Sequence, residues 1–462
     1  MLKSHYSNTK NLSLLACLLL VLGLVSACGD STATSGPVNN ANPQITNSSS
    51  SSGGKESLEI WIVDWNADTQ TLFKDKLLPA FAQRYPNLNV NVVWKDWQTY
   101  DTDIATAFAS GTAPDILQYG AEYAWQVATK KQAISLDDRL TSWDGTKDFV
   151  SSAMEATRWQ GKTYGLPYLT APRTYYYRGD LLQAKGISTT PPVTWEDFMA
   201  NIAPKDTIEA GKIVQQAFPV YNTLLWHEFI EFLYAAGGQM FSPDCKISFN
   251  SPAGQVAAQF MVDRYQAVLP KGLVSLPETT LSQFAQGNML SIYGNPNQGP
   301  KALAQNAPDK LAQLVVGEPI VPGNVTYKTA GPIQPKTLVF TDWLAISAQS
   351  KKVDSAWNLL TFLMEPQNLY DYNETQYFFP PRKAAQNLGA YMKEPANQKM
   401  VGLFDKYGMA FPSFPETGRF RQILMDQLLA AMNGQISAQT ALTNVATQYQ
   451  PILDKSNFCA KA

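Results

Sequence analysis

The chain has 462 residues, 45% apolar and 11% aromatic, which is ample for a large core and, by length, suggests two or three domains. Charged residues make up only 16%, and the formal net charge is -2. The basic residues are scattered, with no run that would track a phosphate backbone, so nucleic acid is not an expected partner.

In chain order, Lys3 and Lys10 mark a short positive region, and the apolar run Leu14 to Val25 that follows is too short for a comfortable membrane span. It ends in Val25-Ser26-Ala27-Cys28-Gly29. Small residues before a cysteine, directly after such a run, resemble the lipobox of bacterial lipoproteins. The resemblance implies a signal peptide over 1–27, cleavage before Cys28, and acylation of the Cys28 thiol and its new amine. The chain would then be lipid-anchored to a bacterial membrane, extracytoplasmic at the cell surface or in the periplasm, without spanning the membrane. An ordinary signal peptide that happens to contain Cys28 is the alternative. Residues 28–56 are rich in Ser, Thr, Asn, Gly and Pro and read as a disordered tether. Cys17 leaves with the signal. Cys245 and Cys459 remain in a compartment that permits disulfides, and a bridge or two unpaired thiols both stay open.

The globular part begins with the apolar run Leu58 to Val63, suited to a buried strand. A helix is expected from Thr69 to Tyr85, stopped by Pro86. Leu88 to Trp94 alternates and is β-rich. Thr99 to Ser110 is helical and stops at Gly111, and Asp115 to Leu117 begins a third strand. This order argues for a parallel, doubly wound sheet, in which ligands sit beyond the carboxyl ends of the strands. The loops there are Asp64-Trp65-Asn66, Lys95-Asp96-Trp97 and Gln118-Tyr119-Gly120-Ala121-Glu122, and each pairs an aromatic residue with a polar group. Further helices are expected at 194–203, 226–237, 252–268, 279–286, 353–364 and 420–432, and strands at 174–178, 289–293, 313–316 and 343–347. The pattern is α/β throughout, with no linker separating two domains, so the chain is expected to cross between its lobes more than once.

Several segments resemble the family 1 extracellular solute-binding proteins, the group that includes maltose-binding protein. Phe108 to Asp115 resembles the "F-x-x-G-x-x-P-D" turn, and Gly161 to Pro167 the "G-K-x-Y-G-x-P" hairpin. Tyr175-Tyr176-Tyr177 with Asp180-Leu181-Leu182, then Pro192 to Phe198, resembles "Y-Y-N-K-D-L … P-x-T-W-E-E-F". Phe284 to Met289 followed by Gly294, Leu344 to Ser347 followed by Ala356-Trp357 and Pro380 to Lys383, and near the end Asn433-Gly434 and Ala441-Leu442, which resemble the closing helices, complete the series. Together these segments span nearly all of 58–454. The chain departs from the pattern at Arg178-Gly179, at Asp342-Trp343 and at Asn295-Pro296. The resemblance implies a periplasmic-binding-protein-like fold: two α/β lobes joined by a multi-crossing hinge, with a ligand cleft between them. Lobe 1 would comprise 57–169 and 320–366, and lobe 2 would comprise 170–319 and 367–462. Crossings are expected near Leu169 to Ala171, Glu318 to Pro322 and Met364 to Asn368. The function implied is capture of a sugar for the permease subunits of an ABC importer, by a monomer.

A sugar packs its C–H faces on aromatic rings, and its hydroxyls need polar partners once they leave water. On that chemistry Trp65 is the first candidate wall, with Asp64 and Asn66 as hydroxyl partners. Trp97, Tyr119, Glu122, Tyr168 and Arg173 complete the first set, with Arg173 readable equally as a surface charge. From the second lobe come Trp226, Tyr293, Asn295, Asp342, Trp343 and Arg382. Trp226 can also staple its helix to the core, and Arg382 can brace the hinge. Phe411, Phe414 and Phe420 read as core, with a cleft contact as the alternative.

The sequence carries none of the catalytic motifs that would mark an enzyme of a common class. His227-Glu228 is followed by Glu231, giving H-E-x-x-E without the second His of a zinc protease. There is no phosphate-binding loop and no G-x-S-x-G elbow. No cofactor, metal or enzymatic activity is expected. Two alternatives stay open: a receptor for a non-sugar solute (polyol, glycerol phosphate ester or peptide), in which Arg173 and Arg382 would hold a phosphate, and an exported enzyme acting on polysaccharide through paired carboxylates.

Overall fold

The computed structural model describes residues 55–63, 66–219, 225–268, 281–456 and 458. The segment expected to be a signal peptide, Cys28 and the expected tether as far as 54 lie outside the described residues, as do Asp64, Trp65 and Cys459.

The first part of the chain supplies β1 (Glu56–Val63), α1 (Ala67–Leu72), α2 (Leu78–Arg84), β2 (Leu88–Lys95), α3 (Trp97–Ser110), β3 (Ile116–Tyr119) and α4 (Ala124–Thr129). Then follow β4 (Leu166–Pro172), β5 (Thr174–Arg178), α5 (Leu225–Ala235), α6 (Pro252–Val268), β6 (Ser291–Gly294) and β7 (Leu314–Val316). The last part supplies β8 (Thr337–Ile346), α7 (Pro366–Gln376), β9 (Gly408–Ala410), α8 (Thr417–Met432) and α9 (Ala438–Lys455).

Strand β1 is apolar on both sides because both faces of its sheet are covered. Leu58, Ile60 and Ile62 join one core with Phe73, Leu77 and Phe81. Trp61 and Val63 point the other way, into a cluster with Tyr100 and Ile104. The helix expected over 69–85 is broken by a π-helical stretch, Phe73–Leu77, between α1 and α2. The wider turn keeps Phe73, Leu77 and Phe81 all buried.

Among the described residues the first sheet runs β9-β8-β3-β1-β2, with β4 also paired to β8. Its β1–β2 and β1–β3 pairs are parallel, as the strand–helix alternation requires. The expectation of a wholly parallel sheet does not hold. β8 runs antiparallel to β3, setting Trp343 opposite Tyr119, and β4 runs antiparallel to β8. β8 is also longer than the strand expected at 343–347, since the β-rich run Thr337 to Phe340 continues it backwards. Its register against β4 shifts between Asp342 and Trp343.

The second sheet is β6-β5-β7, antiparallel throughout, with Tyr293 opposite Tyr175. β4 ends at Pro172 and β5 begins at Thr174, so Arg173 alone separates a strand of one sheet from a strand of the other. Around the second sheet, α5, α6, α8 and α9 bury a core that includes Trp195, Phe229, Phe232, Phe260 and Phe420. Arg264 lies inside this core, paired bidentately with Glu228 at 2.8 and 2.9 Å. It also donates to the Tyr175 hydroxyl at 2.8 Å.

Candidate ligand-binding cleft

A cleft of about 720 Å³ opens between the two halves of the fold. One wall is built by α3 and by the turn from β3 into α4: Trp97, Asp101, Glu122, Tyr123, Trp125 and Gln126. The facing wall is Trp226 from α5 together with Phe414, Glu416 and Arg421 at the start of α8.

The aromatic part is a ladder of rings rising from the core. Trp343 packs on Tyr119 with centroids 5.1 Å apart, and Tyr119 on Tyr123 at 5.6 Å. Tyr123 stacks on Trp97 at 6.3 Å, at the cleft surface. Trp343 is fixed from below by its indole N–H, which donates to the Gly120 carbonyl at 2.8 Å. Gly165 lies flat on the same indole, where a Cβ would come within 2.2 Å of the ring. Opposite, Trp226 packs edge-on against Phe411 at 4.8 Å.

The polar part is held as firmly. Tyr123 donates its hydroxyl to Asp101 at 2.6 Å. Glu122 folds its carboxylate back over Gly120, where an added Cβ would stand 2.7 Å from Oε2. Burial pushes Glu122 up to about 7; Asp101 adds to the rise, and Arg421 opposes it. Arg421 lies over the Trp226 ring, with its guanidinium carbon 5.8 Å from the centroid. Ser413 ties the two walls: its Oγ accepts from the Trp125 N–H at 2.8 Å and donates to the Glu122 carbonyl at 2.6 Å. Lys130 and Glu416 face each other at 4.0 Å, and Glu416 sits in left-handed backbone at φ 49°.

Of the residues singled out from sequence, Trp97, Glu122 and Trp226 line this cleft. Trp226, for which a cleft wall and a core staple were alternatives, is buried at 3% exposure and lines the cleft. Tyr119, Asp342 and Trp343 lie behind the first wall. Asp342 accepts from Gln118 at 2.7 Å, and burial pushes its carboxyl up to about 7.

The others are placed elsewhere, each for a local reason. Asn66 caps α1 through the Thr69 N–H and reaches back to Thr375 and Gln376. Tyr168 stacks on Tyr372 at 3.9 Å in the core. Arg173 is no surface charge: it is buried at 8% exposure, over the Phe340 ring at 4.7 Å, and burial lowers its pKa. Tyr293 donates to Glu231 at 2.9 Å. Asn295 closes a turn reciprocally with Gln298. Arg382 braces two segments, donating to Asp148 at 3.1 Å and to the Met364 carbonyl at 2.7 Å. Asp64 and Trp65 lie outside the described residues.

Sequence reasoning did not single out Asp101, Tyr123, Trp125 and Arg421, which also line the cleft, and for Phe414 it favoured core packing over a cleft contact. A signal existed for Tyr123, which adjoins Glu122. Arg421 had one too, since its neighbour Phe420 faces the core and leaves position 421 about 100° round the helix.

The H-E-x-x-E segment is structural. Glu228 pairs with Arg264, and Glu231 accepts from the Leu338 N–H at 3.0 Å and from Tyr293. Burial, then Arg173 and Arg421, push His227 well below the usual imidazole range. Among the described residues no group of three or more His, Cys, Asp or Glu side chains could hold a metal ion. No helix there is long and apolar enough to cross a membrane. Cys245 is disulfide-bonded.

A family model described as bacterial extracellular solute-binding protein matches residues 76–399. The maltodextrin-binding protein MdxE of Bacillus subtilis (strain 168) is 22% identical over 441 residues, 94% of each chain. An uncharacterized lipoprotein in the oleD 5' region of Streptomyces antibioticus is 24% identical over 340 residues, 68% of each chain. Among solved structures, the fold is similar to the sugar-binding protein MalE from Xanthomonas citri, with TM-score 0.73 and 18% identity, covering 87% of this chain and 98% of that one. It is also similar to maltose-bound T. maritima MalE3, with TM-score 0.71 and 20% identity, covering 86% and 100%. The fold is thus the two-lobed α/β solute-binding architecture.

Proposed function

The chain belongs to the bacterial extracellular solute-binding proteins, and from that premise we propose that it captures a sugar or oligosaccharide between its lobes and delivers it to the permease of an ABC importer. The observation that carries this reading is the chemistry of the cleft walls. Trp97 and Tyr123 on one side and Trp226 on the other offer ring faces to sugar C–H groups. Asp101, Glu122 and Arg421 offer charged hydrogen-bond partners to hydroxyls.

The guest contacts both walls, so it favours the closed arrangement by the contacts available only there. The closed surface is what the permease would read. Anchoring through Cys28 and the tether keeps the receptor beside that permease as a monomer, and a Cys245–Cys459 bridge pins the C-terminal end. The hairpin beside Cys245 supports that pairing: Phe241 packs on Phe458 at 5.2 Å, and Lys246 lies 3.6 Å from Asp454. The protein acts without turnover. For a phosphorylated guest, the two arginines expected to hold it are engaged elsewhere, Arg173 over Phe340 and Arg382 on Asp148.

The test is a thermal-shift screen of the mature protein against maltose, maltotriose, mannotriose and tagatose, with polyols, glycerol phosphate esters and short peptides as controls. Each sample is also analysed for sugar products. A raised Tm with a sugar recovered intact supports the receptor. Stabilisation by a control class alone, or release of shorter sugars, would refute it.

A further inference from the structure

Arg421, like Arg419, lines the cleft, and it is Arg421 that lies beside the Trp226 ring. Arg173 and Arg382 are held away from it, and Lys130 faces Glu416 across the rim. Arg421 projects from the first turns of α8 beside the Trp226 ring, exposed to the cleft. Its charge acts on Glu122, from the other half of the fold and lining the same cleft, and on His227 of α5. Glu122 is itself aimed by geometry, its carboxylate lying on Gly120 and its carbonyl held by Ser413.

We propose that Arg421 is a specificity-determining residue that works across the cleft with Glu122, selecting a neutral polyhydroxylated guest whose hydroxyls bridge the two. This deepens, and rests on, the receptor reading above. A hydroxyl both donates and accepts, so one guest satisfies a carboxylate on one wall and a guanidinium on the other. A guest carrying a net charge at this point satisfies one of the pair and confronts the other. Closure around a neutral guest also removes water from two opposite charges at once, which strengthens their mutual attraction.

The charged and titratable groups around Glu122 are few. Asp101, held by Tyr123, comes from α3, and Asp342 from β8. Arg421 comes from α8, with Arg419 and Glu416 at its rim, and Lys130 from α4. His227 from α5 senses Arg421. A guest hydroxyl that donates to Glu122 binds its ionised form more strongly, through a charge-assisted hydrogen bond, so affinity rises with pH through the Glu122 titration. Without Arg421 that titration moves to higher pH, because the opposing cation is gone.

The experiment is calorimetric titration with maltotriose and mannotriose across the pH range around neutrality, on wild type, Arg421→Met, Arg421→Lys, Glu122→Gln and the double variant Glu122→Gln/Arg421→Met. Each single truncation is expected to weaken binding roughly tenfold or more. The double variant loses less than the two losses combined, and Lys recovers part of the loss. Arg421→Met shifts the midpoint of the pH profile upward, which a merely structural role would not do. Exposed Arg421 leaves the fold intact when truncated, and an unchanged Tm checks this. Arg421→Met binding as tightly as wild type, with an unmoved midpoint, would overturn the pair while leaving the receptor standing. A wild-type protein that binds no sugar would instead overturn the receptor reading on which the pair rests.

Discussion

The indole of Trp97 and the phenol ring of Tyr123 are stacked with their planes 24° apart, and both face the cleft. Tyr123 is locked by its hydrogen bond to Asp101, and Trp97 leans edge-on against buried Tyr100 at 5.4 Å. The surface offered to a guest is therefore rigid before the guest arrives, which lowers the entropy lost on binding. Trp97→Ala is expected to weaken maltotriose or mannotriose binding by about 1.5 kcal/mol or more. Its Tm should change little, because the ring is only partly buried. Calorimetry and a melt on the same sample check both halves; a large Tm loss with unchanged affinity would make Trp97 a core residue.

Gly120 offers a way to disturb the cleft without substituting any lining residue. Its backbone, at φ -80° and ψ 172°, suits any residue. An alanine methyl would, however, stand 2.7 Å from Glu122 Oε2. The flexible carboxylate is what must move, so the fold tolerates the change. Gly120→Ala is expected to hold or slightly raise Tm, through a less flexible unfolded chain, and to weaken sugar binding several-fold. A variant that binds as well as wild type would show that the placement of the Glu122 carboxylate does not matter to the guest.

These two positions also show what was legible in advance. The β1–β3 region was readable because buried parallel strands are continuous apolar runs and their helices keep a helical period. Trp97, Glu122 and Trp226 were readable because each adjoins the end of an element and pairs a ring with a polar group. Asn66 and Asn295 share that composition, yet Asn66 spends its side chain on Thr375 and Gln376, partners more than 300 positions away. No local pattern reveals such a partner. Arg421 was hidden for the converse reason. On a long helix it reads as one more solvent-facing charge, and it is tertiary contacts such as those of Ser413 with Trp125 and Glu122 that bring the start of α8 to the cleft.

The Arg264–Glu228 pair gives a stability test independent of any guest. Both groups are buried, at 0% and 2% side-chain exposure, and both carboxylate oxygens are used. Arg264 also lies against the Phe218 ring at 4.4 Å. Glu228→Gln leaves a buried guanidinium without its counter-charge and is expected to cost about 3–5 kcal/mol. A chelator should leave wild-type Tm unchanged, since the H-E-x-x-E segment is committed to Arg264 and to β8. A chelator-sensitive melt would show instead that the folded protein depends on a bound metal.

Glu231 sets a pH dependence whose sign can be worked out. It is buried between the Leu338 N–H and the Tyr293 hydroxyl, both of which donate to Oε2. Burial pushes it up to about 8, with nearby Glu228 adding to the rise and Arg173 opposing it. The unfolded chain releases this proton near the ordinary glutamate value of about 4.3. Between those values the folded protein holds a proton that the unfolded chain does not, so stability falls as pH rises and the loss is complete above about 8. Glu231→Gln keeps the acceptor and the shape but cannot ionise. Its Tm should match wild type at acidic pH and exceed it increasingly toward pH 8 and above. Some slope will remain in the variant, because Asp342 and Glu122, each raised to about 7, act in the same direction. Parallel Tm curves for the two proteins would mean that Glu231 is already ionised inside the fold at neutral pH, with Arg173 rather than a proton compensating its charge.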